Sequence, residues 1–247
     1  MKTFIVAEIA SNWEGSVPTA KKLIRESKKS GANAVKFQMW RASDLYKGHP
    51  DWKMIKKSEL TPGQARILKR YSDQVGIEFF CSGFYPEAIK FLDSIKVKRH
   101  KIASRTCTLK DPYSLETITQ ISDKKKPVVI SMGMGGNKKK IEKILGKNKI
   151  TFCYCISEYP TSIKKIDWKK IKQYDGFSDH TLGITAAIIF TIMKNKSKTK
   201  EIFIEKHVKL KNSKGPDASS SIDTQELAEL VTIIRQIEKL NKIMRTR

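Results

Sequence analysis

The chain is poor in cysteine and arginine and has no long apolar run, and each shortage excludes a class of protein. Four cysteines in 247 residues, Cys81, Cys107, Cys153 and Cys155, are too few for a disulfide-stapled secreted scaffold. The Cys-x-Cys pair also lacks a second pair at zinc-site spacing. Cys153 and Cys155 point to one side of a predicted strand and read as buried packing thiols. The longest greasy stretch, Ile184 to Met193, is about half of what a bilayer requires. The opening MKTFIVAEIA is interrupted by Glu8 and carries no small-residue cleavage site, so it reads as a first strand and not as a secretion signal. A soluble cytoplasmic protein with no membrane contact is expected. No Pro/Ser-rich linker, repeat or low-complexity tract breaks the sequence, which leaves one domain over residues 1–247.

The arginine shortage bears on the charge. The formal net charge of +24 is carried by 40 lysines against 9 arginines, and the lysines are spread over every predicted helix. With no interleaved aromatics and no recognised binding module, nucleic acid is not the expected partner, and anionic small molecules fit the excess better. The runs Lys124 to Lys126 and Lys138 to Lys140 read as solvated faces.

What is abundant is alternation of strand-like and amphipathic stretches, which implies βαβ units and a parallel sheet. Eight strands are predicted: Phe4–Ile9, Asn33–Gln38, Ile77–Ser82, Arg99–Ser104, Pro127–Ser131, Ile150–Ile156, Asp175–Ser178 and Glu201–His207. Each is followed by a helical pattern, among them Pro18–Ser30, Pro62–Gln74, Pro86–Ile95 and Thr224–Leu240. Three open at or near proline, which is comfortable in a first turn because its missing N–H has no partner there anyway. Eight such units fit a closed (β/α)8 TIM barrel of the α/β class, in which no sheet edge is left open. An open doubly wound sheet would want a Gly-rich dinucleotide turn after the first strand, where this chain has SNWEGS.

In such barrels chemistry collects at the carboxyl ends of the strands. Those ends carry Glu8, Lys36, Gln38, Ser82, Lys101, Ser104, Ser131, Ser157, Tyr159, Ser178, His180, Glu205 and His207. Strand parity puts Lys36 and Gln38 on the face opposite Val35 and Phe37, and Glu205 and His207 opposite Ile204 and Lys206. Charged groups facing a barrel axis are costly unless a ligand or one another satisfies them. His180 and His207 end neighbouring strands and could hold a divalent cation with open positions left for water or substrate. The converging serines with Lys36 and Lys101 suit a phosphate oxyanion.

The segments AEIASNWEG, AVKFQ, KIAS, SMGM, SEYP, FSDHTLG, IEKH and GPD resemble, in order and approximate spacing, the sialic acid synthase family over nearly the whole chain. The resemblance implies a metal-dependent barrel that condenses phosphoenolpyruvate with an open-chain N-acyl amino sugar such as N-acetylmannosamine, giving a nonulosonic acid and phosphate. It implies His180 and His207 as ligands of Mn2+ or Mg2+, and Glu8 as the acidic residue near the metal. Lys36, Ser82, Lys101, Ser104, Ser131, Ser157 and Ser178 match the positions that cradle phosphoenolpyruvate, and Gln38, Tyr159, Glu205 and Asp217 match those that meet the sugar. The chain departs from the pattern in Arg105 and Thr106 after KIAS, where the family has Gly and an acidic residue, and in Trp13, where it has His. The small carboxyl-terminal antifreeze-like domain of typical members is expected to be missing. Arg105 is then a candidate for charge at the mouth, and a homodimer or a separate lid protein is a candidate for shielding it. Two alternatives stay open: a metal-dependent aldol-type barrel with another acceptor, and a non-catalytic basic barrel that binds anionic partners.

Overall fold

The computed structural model describes residues 2–195 and 201–245. Eight parallel strands run in chain order around a closed ring: β1 (Lys2–Glu8), β2 (Ala34–Met39), β3 (Glu78–Gly83), β4 (His100–Ile102), β5 (Val128–Ser131), β6 (Ile150–Cys155), β7 (Gly176–Asp179) and β8 (Glu201–Lys209). Seven residue pairs from Lys2↔Glu201 to Glu8↔His207 join β8 to β1 and close it. This is the (β/α)8 barrel that the alternation implies.

Local chemistry sets the helices. Ser16 caps α1 (Val17–Lys29) by accepting from the Thr19 amide. Thr61 and Gln64 form a reciprocal capping box at the start of α4 (Pro62–Val75), which ends on left-handed Gly76. As expected, proline lies in the first turn of α1, α4 and α5 (Pro86–Ser94). The other long helices are α6 (Ser114–Asp123), α7 (Lys138–Leu145), α8 (Thr185–Asn195) and α9 (Thr224–Arg245). Outward strand residues such as Val35, Phe37 and Phe79 are buried beneath them. At the amino-terminal end, Phe4 and Phe203 stack at 5.9 Å, and the Arg99 guanidinium lies 4.1 Å over Phe4 while pairing with Glu78 at 2.6 Å.

The structure corrects several expectations. The sixth unit has no α-helix: only two 3-10 turns, Ile163–Lys165 and Ile171–Gln173, lie between β6 and β7. There the Asp167 carboxylate accepts from the Lys169 and Lys170 amides, a local turn that competes with helical pairing. Between β2 and α4 the chain adds two short helices, α2 (Ala42–Leu45) and α3 (Trp52–Lys57), and a two-residue β9 (Ile222–Asp223) pairs with β8 before α9. β4 shortens to three residues. The lysine runs are not merely solvated: Lys124 and Lys126 both pair with Asp93, and Lys138 lies 4.4 Å over the Phe152 ring.

Candidate active site

Parity and register assemble the site. Glu8 stands beside Lys36 across β1–β2 and beside His207 across β1–β8, Gln38 beside Ser82, Ser82 beside Lys101, and Ser178 beside Glu205. Their side chains meet on the barrel axis at the carboxyl ends of the strands, where Glu8, Lys36, Lys101 and Glu205 are all at most 3 % exposed. Four buried charges balance two against two.

Glu205 is the centre of this cluster. It accepts from Lys101 Nζ at 3.1 Å and Ser178 Oγ at 2.9 Å, and its other oxygen lies 3.7 Å from Lys36 Nζ. Lys36 also contacts Glu8 and donates to Ser82 Oγ at 3.2 Å, while Lys101 donates to Ser131 Oγ at 2.7 Å. Burial alone would raise the Glu205 carboxyl, but Lys101 and Lys36 outweigh it and bring it down to about 2. Burial pulls the Lys36 ammonium down to about 8, with Glu205 opposing and Lys101 adding to the fall. Contact with Glu8 resists that fall further, so the ammonium stays protonated at neutral pH. For Lys101 the cost of burial is overcome by Glu205, and its ammonium sits above the ordinary value.

Beside this cluster stand the two imidazoles, with ring centroids 5.3 Å apart, and Tyr159 covers them at 4.1 Å from His180 and 5.8 Å from His207. His180 Nδ1 donates to the Ile156 carbonyl at 2.7 Å, so that the neutral form of the ring would present Nε2 as a lone-pair donor. Burial, with repulsion from His180 and Lys36, holds the His207 ring neutral down to about pH 3. His207 Nδ1 and Glu8 Oε1 are buried without a protein hydrogen-bond partner. Cys155 overcomes the cost of burial and lifts the His180 imidazole above its ordinary value, so a divalent cation would have to displace that proton before the two rings, 5.3 Å apart, could both ligate it and leave open coordination positions. Among the described residues, no cluster of three or more His, Cys, Asp or Glu of metal-binding geometry occurs, so water or substrate would complete the shell.

A buried pair outside the barrel axis holds these strand ends. Lys206 Nζ meets Asp179 Oδ2 at 3.0 Å with both side chains fully buried, and it also donates to the Thr181 carbonyl. Sequence reasoning set Lys206 among apolar neighbours and missed its role. The signal was present, since Asp179 and Lys206 are in register on β7 and β8. Cys155 was missed as well. It is not a mere packing thiol, because its sulfur lies 3.6 Å from Ser104 Oγ and 3.9 Å from His180 Nδ1 and lines the inner cavity. Cys153 does fit the packing reading, being fully buried.

The inner cavity is small, about 40 Å3, and every predicted site residue except Ser157 and Asp217 lines it. It opens into two outer chambers of about 300 and 370 Å3 that share Gln38, Tyr46, Tyr159 and Asp217. Ser157 and Arg105 line the first of these, and Ser157 Oγ is buried and unpaired. Close approach of the loop after β5 requires glycine: a Cβ on Gly133 would lie 2.6 Å from Ser157 Oγ and 2.9 Å from Cys155 Sγ. Asp217 is held over the mouth by the Ser11 amide at 3.0 Å and by the Ser11 hydroxyl. Trp13, in contrast, is fully buried and lines none of these cavities.

No described helix is long and apolar enough to cross a membrane. Among curated proteins, the chain is 31% identical over 270 residues to the N,N'-diacetyllegionaminic acid synthase of Legionella pneumophila, covering 96% of this chain and 73% of that protein. It is 31% identical over 266 residues to human N-acetylneuraminate-9-phosphate synthase, covering 96% and 70%. Among solved structures, the N-acetylneuraminic acid synthetase of Leptospira borgpetersenii, in complex with citrate, superimposes with a TM-score of 0.84 at 26% identity, covering 99% of this chain and 85% of that one. The NeuB family model matches residues 23–244. A closed parallel barrel, a polar cluster at the carboxyl ends of its strands and this match over most of the chain lead to one conclusion: the protein belongs to the NeuB family.

Proposed function

We propose that this protein condenses phosphoenolpyruvate with an open-chain N-acyl amino sugar to form a sialic-type nonulosonic acid and inorganic phosphate. The observation that carries the reading is the pair of buried ammonium groups, Lys36 and Lys101, held among Ser82, Ser131 and Ser178 on the barrel axis. Two cations at the end of a narrow cavity suit a small dianion-bearing donor, and the relatives synthesise acids of this type.

The inner cavity takes the donor. Lys36, Lys101 and the serines bind its phosphate and carboxylate, and the chambers beyond Gln38 and Tyr159 take the sugar. The methylene carbon of the donor forms a bond to the aldehyde carbon, whose oxygen gains a proton. Water adds to the carbon bearing the phosphate ester, and cleavage of that carbon–oxygen bond releases phosphate. Glu8 accepts the proton of the incoming water, a role supported by its contact with Lys36 and its buried oxygen Oε1 without a protein hydrogen-bond partner. Mn2+ or Mg2+ held by His180 and His207 would supply Lewis-acid polarisation of the aldehyde oxygen.

Phosphate release by the purified protein tests this, with phosphoenolpyruvate, Mn2+ and a panel of N-acyl mannosamine and bacillosamine-type sugars. No release with any acceptor would remove the proposal. Phosphoenolpyruvate binding that survives both Lys36→Ala and Ser131→Ala would favour an aldol-type barrel with a different donor.

A further inference from the structure

The protein carries a large positive charge, yet the two outer chambers do not share it. Of the charged side chains that line them among the described residues, Asp217 and Asp51 are acidic and Arg105 is basic. The Arg105 charge is already answered. Asp111 accepts from its Nε at 2.7 Å and its Nη2 at 2.8 Å, a bidentate pair in which the side chains are 29% and 20% exposed. The guanidinium also lies 5.3 Å from the centre of the Tyr46 ring. The His49 ring is turned to the backbone beside it, its Nδ1 lying 3.1 Å from the Asp51 amide.

Three of the five guanidinium N–H groups are not engaged by Asp111, so Arg105 still offers hydrogen bonds while its charge is compensated. The unpaired polar atoms just behind the chamber walls are neutral as well. Ser157 Oγ and the Nε1 of Trp40 are buried without a protein partner, and both residues line the chambers. These walls suit hydroxyl and amide groups, and their carboxylates repel a phosphate ester.

We propose that the outer chambers select a neutral, unphosphorylated N-acyl amino sugar, and that the Arg105–Asp111 pair sets this selectivity. The proposal rests on the reading of the chambers as the place of the acceptor. It chooses between two chemistries open to that reading, a free sugar and its terminal phosphate ester. Asp111 acts as a positioning residue: it fixes the fork and cancels its charge.

Calorimetry on the full chain with phosphoenolpyruvate present, using N-acetylmannosamine and its 6-phosphate ester as probes, tests it. The free sugar is expected to bind at least about tenfold more tightly than the ester. In Asp111→Asn the uncompensated guanidinium should move that ratio toward the ester by on the order of tenfold, the size of one charge-assisted hydrogen bond, and Asp111→Glu should restore it. A purely structural role for Asp111 would weaken both probes alike. Equal or tighter binding of the ester by the parent protein, binding of neither probe, or an unmoved ratio in a folded Asp111→Asn overturns the proposal. Preferential binding of the free sugar with no product from any acceptor would instead strike the reaction reading and leave the selectivity standing.

Discussion

The balance of buried charge at the barrel axis yields a prediction that joins stability to ligand binding. Replacing Glu205 by glutamine keeps the shape of the side chain but leaves Lys36 and Lys101 facing Glu8 alone. The carboxyl of Glu205 falls from 4.5 to about 2 in the folded protein, and at 1.36 kcal/mol per unit its ionised form contributes about 3 kcal/mol. Because the folded value is depressed, that contribution is present above pH 4.5 and fades as pH falls toward 2. Glu205→Gln should therefore be about 3 kcal/mol less stable than the parent at pH 7, and the gap should narrow on acidification below pH 4.5. The same change should sharpen the response to anions. In the parent, phosphate has to compete with the Glu205 carboxylate for Lys101 and Lys36, whereas in the variant it supplies the missing negative charge. Urea denaturation at pH 7 with and without inorganic phosphate measures both effects, since ligand stabilisation grows with the ratio of ligand to its dissociation constant. A variant as stable as the parent at pH 7, or one that phosphate stabilises no more than the parent, would refute the account of the axis as a two-against-two charge cluster.

Three further outcomes follow from the same packing of buried charge and backbone. His100 is fully buried with both ring nitrogens unpaired, and burial, together with Lys126 and Lys124, holds it down to about 4 against the pull of Asp93. The unfolded chain takes up a proton below pH 6.5 that the folded chain refuses until about pH 4, so His100 costs up to about 3 kcal/mol across that window. His100→Leu should lessen this acid sensitivity in urea titrations at pH 7, 5.5 and 4, and an unchanged slope would count against it. Lys206→Met strands the Asp179 carboxylate in the core and should cost about 3–5 kcal/mol, most of it recovered when Asp179 is made apolar too; a double-mutant cycle reads this directly. Gly133→Ala pushes on Ser157 and Cys155 and should cost about 1–3 kcal/mol, with weaker binding of phosphoenolpyruvate in calorimetry.

The barrel was legible in the sequence because two periodicities are simple. Strands alternate in parity, so Lys36 and Gln38 had to share a face opposite Val35 and Phe37, and the chain meets this in register. The site was legible for the same reason: polar residues that interrupt apolar strands at their carboxyl ends have one place to converge. The ligand-like grouping of His180 and His207 needed only neighbouring strands. What stayed hidden depends on pairings between distant segments. That Glu205 joins both lysines is a matter of how side chains from β2, β4 and β8 fill one small volume, which no local pattern encodes. Cys155 looked like packing because a thiol on a strand usually is; only the approach of Ser104 and His180 shows otherwise. The missing sixth helix is a contest between Asp167 as a turn-former and the helical spacing around it, and its outcome turns on the backbone path after β6.

The overall charge and the site charge are separate quantities, and the structure shows why. Much of the lysine excess lies on the outer surface, where pairs such as Lys29 with Glu26 and Lys165 with Glu158 are open to solvent and weakly coupled. Such a surface raises the local concentration of anions of every kind and cannot choose among them. Choice begins where desolvation makes each charge costly, on the barrel axis, and there the two lysines are matched by two carboxylates. Lys101 is already engaged by Glu205 and Ser131, and Lys36 by Ser82, Glu8 and Glu205, so an entering anion would compete with these resident acceptors for the two ammonium groups. The same Glu205 carboxylate that stabilises the barrel axis would thus discriminate among anions there, and the surface charge would govern how often a candidate arrives.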